Sequence, residues 1–252
     1  MCLIVFSWKN HPDYDLVMAA NRDEFYARPT KAAHFWEDEP NILAGRDLEA
    51  GGTWMGVTKA GRFTAITNYR DPSIHKDNAP SRGHLTTNFL KSNVAPGEYL
   101  EELSKYGTNY YGFNLLVGTP DELWYYSNIS GEPEKLEPGL YGLSNAFLDT
   151  SWPKLDQAKS QFSMALNGSL KQEELFELLT DQSKPRDEKL PETGIPLEWE
   201  RAISSVFIKT EGYGTCCSTI LKIGTGKMEF AEKTYEVGDR KTGLREFAIE
   251  LY

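Results

Sequence analysis

The chain begins MCLIVFSWKNHPDYDLVMAANRDE (residues 1–24), in which two short apolar runs flank a polar turn. Both runs are rich in aliphatic residues, which is typical of strands buried on both faces. In an antiparallel pair, the start of one strand lies beside the end of the next. A hairpin here therefore brings the thiol of Cys2 close to Arg22 and Asp23. We expect this end of the hairpin to be the functional site.

The remaining elements are predicted to come in blocks. A hairpin is expected around residues 59–61, and helical patterns follow over residues 83–91 and 98–106. Strands are expected again within residues 112–144. After two further helical patterns, the chain is predicted to close with a hairpin around residues 224–226 and a last short strand.

Residues 181–200 contain three prolines and many charges, so we expect an exposed loop there. Strands thus cluster at the start, middle and end of the chain, with helices in blocks between them. This grouping indicates an α+β fold with largely antiparallel sheets. No internal repeat or convincing linker interrupts the sequence, which predicts a single domain over residues 1–252.

Composition narrows the possible partners and compartment. The chain has 27 basic and 37 acidic residues and no basic stripe, so no nucleic-acid partner is expected. No apolar run approaches the roughly 18 residues of a membrane span. The three cysteines, two of them adjacent, make a poor disulfide framework. These features predict a soluble, cytoplasmic protein without a membrane span.

The chemistry of an N-terminal cysteine supports a nucleophile at Cys2. Removal of the initiator methionine leaves the α-amine on the same residue as the thiol, with reference pKa values of about 7.7–8.0 and about 8.5. The amine can then take the thiol proton. Arg22 would favour the thiolate, and Asp23 would hold the amine by hydrogen bonding. Asn68 or Asn145 would supply donors for a tetrahedral oxyanion.

Simpler interpretations of the same residues stay open. A cysteine in an apolar strand is usually a small buried hydrophobe, and an Arg-Asp pair is usually an ion pair at a strand end. No pair among the four histidines has metal-ligand spacing, and no phosphate-binding glycine motif occurs. We therefore expect no metal and no resident cofactor.

Several stretches together carry a resemblance that spans nearly the whole chain. They are Met1-Cys2, AANRDEFYARP (19–29), GGTWMG (51–56), ITNYR (66–70), YGFNL (111–115), YGLSNAFLDTSWPK (141–154) and GYGT (212–215). With these motifs the sequence resembles the NRDE family, also called the transport and Golgi organisation 2 family. The resemblance implies a fold like that of the N-terminal-nucleophile hydrolases, a four-layer αββα sandwich whose first strand presents the nucleophile.

The resemblance also implies roles for particular residues. In the branch with an N-terminal cysteine, such as bile salt hydrolases and penicillin V acylases, an arginine and an aspartate on the second strand serve the cysteine. Arg22 and Asp23 are the matching positions, but they are adjacent and would point to opposite faces of a regular strand. A bulge or the strand end would have to bring both to Cys2. The family usually reads YGTR, whereas this chain has Cys216 in place of that arginine.

Two functions follow, from different classes. The first is an N-terminal cysteine amidohydrolase or acyltransferase acting on a small amide or acyl substrate, with Cys2 as nucleophile. The second is a cytosolic carrier or trafficking protein that uses the same pocket without turnover. The family's association with haem handling and secretory-pathway organisation supports the carrier, although the chain has no C-x-x-C-H haem motif. The hydrolase-like function is favoured.

Overall fold

The computed structural model describes residues 2–236 and 241–251. Its strands are β1 Cys2–Trp8, β2 Leu16–Phe25, β3 Thr30–Phe35, β4 Ile42–Asp47, β5 Met55–Thr58, β6 Phe63–Asn68, β7 Phe113–Gly118, β8 Leu123–Ser127, β9 Glu134–Lys135, β10 Gly139–Leu143, β11 Tyr213–Gly224, β12 Lys227–Thr234 and β13 Gly243–Glu250. Its α-helices are α1 Gly83–Lys91, α2 Pro96–Ser104, α3 Pro153–Leu166, α4 Gln172–Leu178 and α5 Leu197–Ala202.

The strands form two antiparallel sheets. The first has the order β10-β1-β2-β11-β12-β13, and the second runs β3-β4-β5-β6-β7-β8-β9 in chain order. The N-terminal hairpin β1-β2 therefore lies inside the first sheet, with β10 on one side and β11 on the other. This position explains why both apolar runs lack polar alternation, since each strand is covered on both faces.

Alternate residues of β1 enter two different cores, as the period of two in a strand requires. Ile4 and Phe6 pack in the core between the two sheets. Leu3 and Val5 face the other way and pack against a core that includes Phe162 of α3. Full burial of a side chain such as Phe6 contributes roughly 1.5–3 kcal/mol to folding.

Helices cover both outer faces of the pair of sheets. On the first sheet, α3 contacts β1 and β10, and α4 contacts β11. On the second sheet, Phe89 of α1 and Leu100 of α2 pack in a core with Phe113 and Leu115 of β7. The layer order is thus αββα. The predicted α+β sandwich with antiparallel sheets is confirmed.

The predicted elements differ from the structure in two places. The paired strands β3 and β4 were not predicted, because β3 is a half-exposed edge strand, TKAAHF, whose apolar pattern is weak. Residues 181–200 were expected to be an exposed loop, but α5 begins at Leu197 and Glu200 is only 3% exposed. Glu200 is buried because its carboxylate forms an ion pair with Arg70 at 2.8 Å, a partner 130 residues away in sequence.

The helices of the described residues include none that combines the length and apolarity needed to cross a membrane.

Candidate functional site

The register of the first hairpin places Cys2 directly opposite Arg22. Both residues are buried, with 7% of Cys2 and 8% of Arg22 exposed. Because Ile4 and Ala20 of the same strands lie in the core between the sheets, Cys2 and Arg22 point into that space as well. The predicted proximity of this thiol and guanidinium is confirmed. Met1, whose removal the sequence predicts, lies outside the described residues.

Asp23 points to the opposite face of β2 from Arg22. Its Oδ1 accepts a hydrogen bond of 2.7 Å from the hydroxyl of Thr215, and its neighbour on that face, Asn21, donates to the carbonyl of Leu179 on the helix side. The register does shift at this point, between Thr215 and Cys217 of β11. The bulge therefore lies in the partner strand. In β2 the alternation continues, so Asp23 approaches Cys2 from the other side of the sheet.

Arg22 belongs to a partly buried ionic cluster that joins the two sheets. Its Nη2 lies 3.4 Å from Glu24 Oε2 and 4.0 Å from Asp47 Oδ2, and Asp47 belongs to β4 of the second sheet. Arg28 reaches the same Asp47 oxygen at 2.5 Å. The two arginines and their carboxylates thus link both sheets beside the thiol.

The thiol of Cys2 is a weak acid in the chain that still carries Met1. Burial raises its pKa to about 11, and the negative charge of Asp23 acts in the same direction. The positive charge of the N-terminal ammonium and, to a smaller extent, that of Arg22 oppose this rise, but desolvation outweighs both. The predicted direction of the Arg22 effect agrees with this, because its positive charge lowers the thiol pKa, but in the chain that carries Met1 desolvation outweighs it and the thiol is protonated at neutral pH.

Residues 144 and 145 approach Cys2 from the β10 side. Ser144 Oγ donates a hydrogen bond of 3.2 Å to the carbonyl oxygen of Cys2. The pairing of β1 with β10 ends at Ile4 and Leu143, and Asn145 lies in the bend that follows Ser144. Asn145 is 1% exposed, and its Nδ2 donates to the backbone carbonyl of Asn68 at 2.9 Å. The structure brings the two asparagines together, with the second amide hydrogen of Asn145 available for another acceptor.

Arg82 is a charged neighbour of the site that the sequence analysis did not single out. It immediately precedes α1, and its Nη1 donates to the carbonyl of Gly112 at 2.9 Å. Burial lowers the pKa of Arg82, while the negative charges of Glu24 and Cys2 oppose that shift, which places its guanidinium near both groups. The backbone at Gly52 packs closely against the start of α1. A Cβ on Gly52 would lie only 2.5 Å from the carbonyl oxygen of Gly83, so a side chain does not fit there.

Two more missed residues surround Asp23. Tyr213 donates its hydroxyl to the backbone carbonyl of Asp23 at 3.1 Å. Lys154, only 4% exposed, carries an ammonium whose charge acts on both Asp23 and Cys2. Both residues lie in quoted family motifs, GYGT and SWPK, which is the signal that could have identified them. A lysine at the start of an amphipathic helix otherwise looks like an ordinary surface residue.

The other two cysteines lie on β11, and all three are free. Cys216 is 4% exposed at the bulge, and its thiol donates to the carbonyls of Gly214 at 3.5 Å and Glu24 at 3.7 Å. Cys217 faces Arg22 from the strand opposite Cys2, and burial raises its pKa well above the ordinary value. Cys216, which replaces the expected family arginine, is thus packed against backbone.

Potential metal ligands are used in other ways. Within residues 2–236 and 241–251, no group of three or more His, Cys, Asp or Glu side chains could hold a metal ion. Ring nitrogens of His34 and His84 contact the backbone carbonyls of Ala32 at 2.9 Å and Ala50 at 2.7 Å, respectively.

Comparisons of the sequence with known proteins identify its family. A sequence profile described as Transport and Golgi organisation 2 matches residues 1–237. The chain is 37% identical over 277 residues to the Transport and Golgi organization protein 2 homolog of Homo sapiens, covering 99% of this chain and 100% of that protein. It is 29% identical over 264 residues to Transport and Golgi organization protein 2 of Drosophila melanogaster, covering 93% and 92%.

A solved structure gives an independent comparison of the fold. The Caenorhabditis elegans N-acylethanolamine-hydrolyzing acid amidase ortholog matches with a TM-score of 0.50 at 9% identity, covering 87% of this chain and 92% of that chain. At this identity the match shows the fold alone, that of the N-terminal-nucleophile hydrolases.

Proposed function

We propose that this chain, which belongs to the Transport and Golgi organisation 2 family, is an N-terminal cysteine amidohydrolase or acyltransferase acting on a small amide or acyl substrate. One observation carries the proposal: Cys2 starts strand β1 and has Arg22 directly opposite it on β2, with the hydroxyl of Ser144 bound to its carbonyl from the β10 side. An arrangement of a thiol, a cation and amide donors at the chain start suits a nucleophile of this kind.

Removal of Met1 would supply the general base. The α-amine of Cys2 then has a reference pKa of about 7.7–8.0, so a large neutral fraction exists near pH 8. The pKa of the buried thiol is about 11 while Met1 is present, and in the mature chain the thiol proton would pass to this amine as the sulfur attacks. The α-amine is thus the base that activates the thiol, and Arg22 assists by lowering the thiol pKa.

The reaction then proceeds in two balanced steps. The sulfur of Cys2 attacks the substrate carbonyl carbon as the α-amine takes the thiol proton. The tetrahedral intermediate collapses, the C–N bond breaks, and the α-ammonium returns the proton to the leaving amine. Water, or an acceptor amine or alcohol, then attacks the thioester carbonyl as the α-amine takes its proton; the C–S bond breaks, the acyl group leaves on the acceptor, and the α-ammonium returns the proton to the thiolate of Cys2. Water gives hydrolysis and another acceptor gives acyl transfer.

Asn145 is the better of the two predicted donors for the oxyanion. It follows Ser144, whose hydroxyl contacts the carbonyl of Cys2, it is buried, and one of its amide hydrogens is already fixed by Asn68. This bond orients the amide before the reaction, which is how an oxyanion donor acts efficiently. Asn68 contributes its backbone carbonyl as the anchor of Asn145, and a direct role for its side chain stays a prediction.

Mass spectrometry of the full-length protein tests the proposal. We expect a mature chain that starts at Cys2, modified by iodoacetamide faster at Cys2 than at Cys216 or Cys217. A p-nitrophenyl ester should acylate Cys2 in one turnover, and Cys2→Ser should abolish this adduct. Cys216→Ser is the matched control and should retain it. A screen of N-acyl amides, including N-acylethanolamines, would then define the substrate.

The carrier function has one specific observation in its favour. A thiol that is 7% exposed with a pKa of about 11 is nearly inert as long as Met1 is present. Retention of Met1, together with no acylation of Cys2, would reject the hydrolase. Haem titration followed by absorbance, with hydrolytically inert fatty acyl ligands as comparison, would then test binding without turnover.

A further inference from the structure

Lys154 occupies a position at which a lysine is expected to lower the stability of the fold. It is the second residue of α3, and it is 4% exposed. A buried ammonium loses hydration, and the first turn of a helix carries the positive end of the helix dipole. Its Nζ donates to the carbonyl of Ile203 at 3.1 Å. One neutral acceptor offsets little of the cost of burying a charge.

Four charged or titratable groups from neighbouring elements act on the charge of Lys154. They are Asp23 of β2, Arg70 after β6, Cys2 of β1 and Glu200 of α5. Burial lowers the pKa of Lys154 to about 8, and Asp23 opposes this shift more strongly than the other anions do. In turn, burial raises the pKa of Asp23, and Lys154 is the strongest of the groups that oppose that rise. Each charge therefore compensates the other.

Asp23 is also the group that the new chain start would meet. Cys2 pairs with Arg22, so one step further along the register lies Asp23. Once Met1 is removed, the α-amine of Cys2 would end beside this residue. Thr215 already holds one carboxylate oxygen, Oδ1, at 2.7 Å. The carboxylate is thus fixed from β11 and faces the helix layer that carries Lys154.

We propose that Lys154 is a positioning residue that keeps Asp23 ionised, so that this carboxylate holds the α-amine of Cys2 in place after Met1 is removed. This inference extends the proposed function. It depends on that function in one respect, that the mature chain begins at residue 2. Lys154 does not contact the reacting atoms in this scheme. It acts through Asp23, across the sheet from the face on which Cys2 and Arg22 lie.

The direction in which the α-amine pKa changes when Lys154 is replaced distinguishes this role from that of a simple neighbouring cation. Direct removal of a cation should raise the pKa of the α-amine, because the ammonium loses a repulsive neighbour. If Lys154 acts through Asp23, its loss lets the carboxyl group take up a proton, and the ammonium loses an attractive neighbour. Lys154→Met should then lower the α-amine pKa, by about one unit, which corresponds to a tenfold change.

The experiment uses residues 2–252 with Cys2→Ser, released from a ubiquitin fusion so that residue 2 is the N-terminus without relying on aminopeptidase. The serine removes competing thiol chemistry. Competitive labelling with trace acetic anhydride across pH 6–10, read by mass spectrometry of the N-terminal peptide, gives the α-amine pKa. We expect a downward shift of similar size in Lys154→Met and Asp23→Asn, and no further shift in the double variant. Lys154→Arg should stay near the parent value.

Lys222→Met is the matched control for folding. Lys222 is also buried, at 8% exposed, and its Nζ donates to the carbonyl of Leu170 at 3.1 Å, but it pairs with Val17 near the other end of the hairpin. The Lys222→Met variant should change the melting temperature without changing the α-amine pKa. Should Lys154→Met not fold, Lys154→Gln and the Asp23→Asn variant supply the same comparison.

Three results would overturn the proposal: a raised α-amine pKa in Lys154→Met, shifts that add in the double variant, or an equal shift in Lys222→Met. The outcome is independent of turnover, because the measured chain has no thiol at residue 2. Failure of Cys2 to form an acyl adduct would reject the hydrolase while leaving this electrostatic coupling intact. The two failures are therefore distinguishable.

Discussion

Replacing Arg22 with Met removes the charge opposite Cys2 while keeping most of the buried side-chain volume. At an effective dielectric constant of about 20, unit charges roughly 6 Å apart interact by about 3 kcal/mol. Glu24 at 3.4 Å and Asp47 at 4.0 Å cancel part of the field of this arginine. We therefore expect the thiol pKa to rise by about one unit, and alkylation of Cys2 near neutral pH to slow about tenfold.

The same substitution should also lower stability. Arg22 is only 8% exposed, so its ion pairs are largely removed from water. Breaking a buried ion pair typically costs about 3–5 kcal/mol. Asp47 keeps Arg28 at 2.5 Å, and the Glu24 side chain is 25% exposed, so a smaller loss of roughly 2 kcal/mol is expected.

The assay is the rate of Cys2 alkylation against pH, combined with denaturant unfolding of each variant. Arg28→Met is the control, because Arg28 shares Asp47 but does not face Cys2. It should lower stability and leave the alkylation profile in place. Arg22→Lys should recover most of the rate. If Arg22→Met loses stability with an unchanged profile, the arginine only braces the two sheets.

Three further outcomes are expected. Asp23→Asn should reduce acyl transfer from a p-nitrophenyl ester more than it reduces alkylation, since it disturbs the α-amine; equal losses in both assays would contradict this. Asn145→Ala should lower the acylation rate by about 10²–10³-fold without changing the alkylation profile, as loss of an oxyanion donor does; a loss below tenfold would remove Asn145 from that role. The folded-state pKa of Lys154 is lowered from 10.5 to about 8, so the unfolded chain binds the additional proton between these values and stability rises with pH there. Relative to Lys154→Met, the wild-type chain should gain on the order of 3 kcal/mol in unfolding free energy from pH 8 to 10.5, measured by denaturant titration; parallel curves would contradict the buried charge.

The sequence was sufficient to predict the hairpin and its consequences. Two aliphatic runs joined by a polar turn pair locally, and an antiparallel register follows from the position of the turn. Cys2 therefore had to lie near Arg22 whatever the remainder of the chain did. The blocks of strands and helices likewise led to the antiparallel α+β class, because these patterns depend on neighbouring residues.

Tertiary structure decided the chemical state of the site. Whether Cys2 is a thiolate depends on how completely the second sheet and the helices exclude water, and that burial raises its pKa to about 11. Asp23 accepts a hydrogen bond from Thr215 and is stabilised as a carboxylate by the charge of Lys154, and both residues are more than 130 positions away in sequence. Desolvation and long-range charge pairing depend on contacts that local sequence patterns do not encode. For that reason the burial of Lys154 does not follow from its position near the start of α3; it results from the packing of α3 against β1.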